Sequence, residues 1–144
     1  MAQLLGIAVK PQRKGPMGLH QEAMLHRQHG LVGDCRGKPG PRQLTLMNLS
    51  DWQAACDALG VELPWQTRRA NLLVDELALY QTTGRRILLG EAILEITGET
   101  DPCERMEQAQ PGLFSALLPG WRGGVTCRVV NGGVIRVGMA VTLD

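Results

Sequence analysis

The sequence predicts a β-rich α+β fold, a closed or nearly closed β-barrel with a few peripheral helices. Three features carry that expectation: short apolar runs of strand length recur along the chain, turn residues punctuate them at close spacing, and only two stretches have helical character. At 144 residues the chain is long enough to bury one core and too short for a second catalytic domain. A single domain over residues 1–144 is therefore expected.

Leu4 to Val9 reads as the opening strand, and the breakers of the following KPQRKGPMG segment end it. From Gly30 to Pro41 glycines and prolines are too dense for a helix or a central strand, so a long irregular loop is expected, a kind of segment that often carries function. Gln43 to Met47 reads as a strand. Ser50 with Gln53 has the spacing of a capping box, which opens a helix that Gly60 stops after Leu59. Asn71 to Val74 is a short apolar strand, and Glu91 to Thr97 alternates as a strand with one buried face. Glu104 to Leu118 is expected to be helical in two pieces, because Pro111 lacks an amide hydrogen. Val125 to Val130 returns to strand, Asn131-Gly132-Gly133 has the composition of a tight hairpin, and Val134 to Val137 and Ala140 to Leu143 complete the sheet.

Composition narrows the function classes. Hydrophobic residues make up 44% and charged residues 20%, as in an ordinary globular protein. With Phe114, Tyr80, Trp52, Trp65 and Trp121 as the aromatic complement, the core must be mostly Leu, Val, Ile and Ala. A net charge of +1 lacks the broad basic field of a nucleic-acid binder, so any anion site has to be local. No apolar run approaches the roughly 20 residues that span a bilayer, and MAQLLGIAVK lacks the pattern of a signal peptide, so a cytoplasmic location with reduced thiols is expected. Cys35, Cys56, Cys103 and Cys127 show no CxxC spacing, and His20, His26 and His29 have no neighbouring cysteine pair, which argues against structural zinc. No phosphate-loop or dinucleotide glycine pattern is present.

Cys103 is the leading chemical candidate. It follows Asp101-Pro102 and opens the helix from Glu104, where unpaired amides favour a thiolate that attacks sulfur donors or ligates a soft metal. The alternative is a small buried hydrophobe at a strand-to-helix junction. Cys127 and Cys56 fall on apolar faces and read as inert, while Cys35, between Asp34 and Arg36 in the glycine-rich loop, is the second-choice thiol. Arg68, Arg69 and Asn71 precede an apolar strand and suit a phosphate or pterin edge through forked hydrogen bonds, or else form a solvated basic turn. Arg36, Lys38 and Arg42, with loop glycine amides, suit an anion nest.

In order, Gly30-Leu31-Val32-Gly33-Asp34, Arg42-Gln43-Leu44-Thr45-Leu46, Arg69-Ala70-Asn71-Leu72-Leu73-Val74, Gly90 with Ala92, Pro102-Cys103, Arg122-Gly123-Gly124 and Gly132-Gly133-Val134-Ile135-Arg136-Val137-Gly138 resemble the successive signatures of the MOSC family (molybdenum cofactor sulfurase C-terminal domain), in its small bacterial stand-alone form. The match runs over roughly residues 30 to 143. Two positions depart from it: Cys35-Arg36 stand where many members carry Arg-His, and Met139 stands where Asp commonly follows the last glycine. The resemblance implies a β-barrel-like fold and association with the molybdenum cofactor (molybdopterin). It further implies Cys103 as molybdenum ligand or persulfide carrier, Arg69 and Asn71 lining the cofactor pocket, and Asp34 and Arg42 flanking it.

Two functional expectations follow. One is a molybdenum-cofactor-dependent oxidoreductase, reducing N-hydroxylated compounds with an electron-transfer partner, or a sulfur-transfer protein fed by a sulfur donor enzyme. The other is a non-catalytic binding module for a partner protein or small acidic ligand, with Cys103 structural.

Overall fold

The structure, a computed structural model, describes residues 2–144. Its main sheet has eight strands: β1 (Leu4–Val9), β2 (Gly18–His20), β5 (Leu44–Asn48), β6 (Leu72–Val74), β7 (Arg86–Leu89), β8 (Ala92–Glu99), β9 (Val125–Asn131) and β11 (Thr142–Leu143). Their spatial order is β11-β7-β8-β9-β5-β6-β1-β2. A smaller sheet is ordered β10-β3-β4, from β3 (Glu22–His26), β4 (Gly30–Leu31) and β10 (Gly133–Arg136). All pairings are antiparallel except β5 with β6, which are joined by the crossover containing α1 (Leu49–Leu59).

β5 and the apolar run of β6 are buried on both faces. Leu44, Leu46, Leu72 and Val74 point into the main core with Leu4, Ile7, Leu94, Ile96 and Val125, while Met47 and Leu73 point the other way, under the helices. Helix α1 meets that second face with Trp52, Ala55 and Cys56, the one-sided spacing of an amphipathic helix. Helices α2 (Glu104–Ala109) and α3 (Leu113–Leu117) complete the cover, broken at Pro111 as the sequence predicts.

Three expectations are corrected. The sheet is a curled half-barrel and not a continuous closed ladder: β11 and β2 are its outer strands, and Gln3–Ala140 is an isolated bridge between the residue preceding β1 and the segment before β11. Asn131-Gly132-Gly133 makes no hairpin, because β10 leaves β9 and pairs with β3 in the other sheet. Neither glycine has the positive φ of a tight turn; Gly132 is needed because a Cβ there would meet the Leu25 carbonyl oxygen at 2.5 Å. Asn48, not Ser50, precedes the first turn of α1, and its amide is engaged elsewhere, bonding Leu77 through both oxygen and nitrogen. The helix stop is as read, with Gly60 left-handed at φ 67°.

Candidate functional site

A cleft of about 590 Å³ opens among strand ends and loops. Its wall takes Lys10 from the end of β1, Arg13 and Lys14 from the loop after it, and Cys35, Arg36, Lys38 and Arg42 from the glycine-rich loop. Thr45, Arg68, Arg69, Thr100, Asp101, Cys103, Arg105 and Met106 complete it. Nine of the chain's fifteen Lys and Arg side chains thus face one cleft that holds a single carboxylate, Asp101. In a protein of net charge +1 this concentrates positive potential where low-dielectric walls focus it.

Local bonding fixes this wall. Arg68 is 6% exposed, and its guanidinium donates from Nε to the Gly123 carbonyl at 3.2 Å and from Nη2 to the Thr100 carbonyl at 3.1 Å. Glycine is required at 123, since a Cβ would lie 2.7 Å from the Thr100 oxygen. Burial holds the Arg68 pKa down to about 10, with Cys103 the largest opposing influence. Arg69 ends the short 3₁₀ helix Trp65–Arg68 at φ 65°, a left-handed conformation uncommon outside glycine. That turn sends its Nη2 to the Gly15 carbonyl, tying down the loop that carries Arg13 and Lys14. Burial, then Arg105 and Arg36, lower the Arg69 pKa; burial, then Arg36, lower that of Lys10.

Of the residues singled out from sequence, Cys103, Arg36, Lys38, Arg42, Arg68 and Arg69 share this cleft, joined by Cys35. Cys103 is exposed and is not a buried hydrophobe. It precedes a helix of only six residues whose first turn holds Glu104 and Glu107, acids that oppose the helix-end field, and it shares the cleft with nine cations. Glu107 turns away to accept the Gly112 and Phe114 amides.

Asn71 and Asp34 are elsewhere: neither lines the cleft. Asn71 is 3% exposed; its Oδ1 accepts from the Thr45 amide, and its Nδ2 donates to the Ala8 carbonyl and to Asp34 Oδ1. Asp34 also accepts the Lys10 and Arg36 amides. Both are struts behind the wall. Cys56 and Cys127 are buried, and burial pushes both thiols up. Sequence reasoning missed Lys10, Arg13, Lys14 and Thr100; the adjacent cations of the KPQRKGPMG loop were the available signal for two of them.

Among the described residues two buried side-chain polar atoms lack a protein partner, Thr100 Oγ1 and Arg69 Nε. Both residues line the cleft, and unpaired buried polar atoms call for water or a ligand. An exposed thiol, fixed guanidiniums and an unpaired hydroxyl suit an anion that also offers a soft centre.

The family model described as MOSC domain matches residues 32–142. Among solved structures, the YuaD protein from Bacillus subtilis is similar with TM-score 0.81 and 20% identity, over 99% of this chain and 96% of that one. YiiM from Geobacillus stearothermophilus aligns with TM-score 0.80 and 17% identity, over 100% of this chain and 75% of that one. YiiM from Escherichia coli gives TM-score 0.73 and 16% identity, over 99% and 69%. These likenesses show the fold. No curated protein matches the chain.

Proposed function

The chain belongs to the MOSC domain family, and from that premise we propose that its cationic cleft holds a molybdopterin-type cofactor, with Cys103 as molybdenum ligand or as persulfide sulfur carrier. The observation that carries this reading is an exposed thiol in a cleft lined by nine cations and one carboxylate. The residues present fit the group. A cysteine sulfur suits molybdenum as a soft donor, the guanidiniums suit a phosphate tail, and Thr100 Oγ1 and Arg69 Nε have bonding capacity that the protein leaves unused.

Arg36, Arg42, Arg68 and Arg69 would hold the anionic part of the cofactor, with Lys10, Arg13 and Lys14 adding charge at the rim. Arg68 contributes least freedom, because two carbonyls already fix its plane, so it orients without further loss of rotamer entropy. Asn71 and Asp34 keep the loop bearing Arg36 against β1. When bound, the cofactor supplies two-electron redox chemistry at molybdenum, suited to reducing N-hydroxylated compounds with electrons from a partner protein. In the sulfur-transfer version the Cys103 thiolate receives sulfur from a donor enzyme. No helix among the described residues is long and apolar enough to cross a membrane. A cytoplasmic setting, which keeps thiols reduced, suits either version.

The test is to purify wild type and Cys103→Ala from cells that make molybdenum cofactor, then measure molybdenum, pterin and Cys103 persulfide. Loss of these signals in the variant supports the proposal. Their complete absence from wild type under cofactor-replete conditions overturns it in favour of a non-catalytic binding module.

A further inference from the structure

Of the four free cysteines, two are buried and two are exposed, and the two exposed ones line the same cleft. We propose that Cys35 is the resolving thiol of Cys103, so that the cleft works as a reactive dithiol that closes to a Cys35–Cys103 disulfide once a sulfane-sulfur compound has sulfurated Cys103. This rests in part on the sulfur-carrier version of the reading above, and goes beyond it in assigning chemistry to Cys35.

Cys35 does not dangle from a loose loop. Its amide donates to the Lys10 carbonyl at 2.8 Å, and Asp34 beside it accepts the Lys10 amide at 2.7 Å and the Arg36 amide at 3.1 Å. The loop is thereby stitched to the end of β1 on the cleft side. Cys103, lining the same cleft, is held by the first turn of α2, where its carbonyl accepts the Met106 amide at 2.9 Å. Arg69 stands in the electrostatic reach of both sulfurs. Thr100, 5% exposed and with its hydroxyl unpartnered, lines the same space, which marks it as built for a polar or anionic ligand and not for packing.

A small dianionic sulfane-sulfur compound such as thiosulfate fits that chemistry. The Cys103 thiolate attacks the sulfane sulfur, the bond to the sulfonate sulfur breaks, and sulfite departs with the electron pair. Cys103 now carries a persulfide. The Cys35 thiolate then attacks Cys103 Sγ and displaces hydrosulfide, while the Cys35 proton passes to solvent. One disulfide forms, the two thiols are oxidised by two electrons, and the sulfane sulfur is reduced to sulfide; a dithiol reductant restores the pair. Cys56 and Cys127, sealed in the core with raised thiol pKa values, take no part.

The test uses wild type, Cys35→Ser and Cys103→Ser in two arms. In the first, diamide oxidation is followed by alkylation and peptide mapping. Wild type should yield a Cys35–Cys103 linked peptide and lose both accessible thiols; neither variant should form an intramolecular link. In the second, protein treated with thiosulfate is assayed for sulfide before any reductant is added. Wild type should release about one equivalent per chain, the stoichiometry of a single exchange, whereas Cys35→Ser should retain a Cys103 persulfide and release none. If diamide leaves Cys35 and Cys103 alkylatable, or Cys35→Ser releases sulfide as wild type does, the pairing is overturned. A linked peptide in the first arm with no persulfide on Cys35→Ser upholds the pairing and counts against the sulfur-carrier version alone.

Discussion

Replacing Asn71 with leucine separates a strut from a ligand contact. In the native protein the Asn71 amide satisfies the Thr45 amide through Oδ1 and the Ala8 carbonyl through Nδ2, inside a region where Asn71 is 3% exposed and Ala8 is fully buried. Leucine has similar bulk and neither bonding group, so two buried backbone groups lose a partner. Each such loss costs about 1–3 kcal/mol, and added apolar burial returns about 1 kcal/mol. The net expectation is a destabilisation of about 1–5 kcal/mol, a large part of the roughly 5–15 kcal/mol typical of a domain. Asp34 keeps its bonds from Lys10 and Arg36, so the cleft wall should survive in the folded fraction. Urea unfolding should show a lower midpoint with an unchanged slope, while molybdenum per folded molecule stays within about twofold, under 0.5 kcal/mol of binding. A variant of wild-type stability that has lost molybdenum would refute the strut assignment and return Asn71 to the ligand.

Three further outcomes are expected. Gly124→Ala should lower thermal stability by about 3 kcal/mol or more, because Gly124 has φ 92° and a Cβ would lie 2.3 Å from the Leu46 carbonyl oxygen; a melting curve that overlays wild type would contradict this. The double change Arg13→Glu and Lys14→Glu reverses two charges at the cleft rim and should reduce cofactor retention roughly tenfold at low salt, the gap narrowing as salt rises; equal retention at all salt concentrations counts against rim electrostatics. Burial raises the Asp51 carboxyl above its ordinary pKa, so the unfolded chain releases this proton more readily than the folded one. That group's contribution to stability therefore falls as pH rises through the raised value. Asp51→Asn should gain stability relative to wild type at neutral pH, with the difference shrinking on acidification; a pH-independent difference would refute the cause.

Much of the fold was legible because periodicity reports burial directly. The alternation read over Glu91 to Thr97 is the buried and half-buried pattern of β8, and the break at Pro111 follows from a missing amide hydrogen. The hairpin at Asn131 to Gly133 was misread because glycines that serve close backbone approach look the same in sequence as glycines that serve a turn. The Asn48 start of α1 was missed because its side chain is drawn to Leu77, a partner 29 residues away. Strands β2 and β3 were invisible for a related reason: their residues are mostly exposed and leave little apolar pattern.

The sequence by itself determined the elements with strong local signals, the β-rich class, the family signatures, and the argument that an anion site must be local in a chain of net charge +1. Only the tertiary structure decided which cations converge, since Lys10, Arg36, Arg68 and Arg105 come from four separate segments and meet through folding alone. It also divided the cysteines, sealing Cys56 and Cys127 and opening Cys35 and Cys103 to one cleft. The physical reason is range: periodicity and turn chemistry act over a few residues, whereas a site is a sum of long-range contacts that no local pattern encodes.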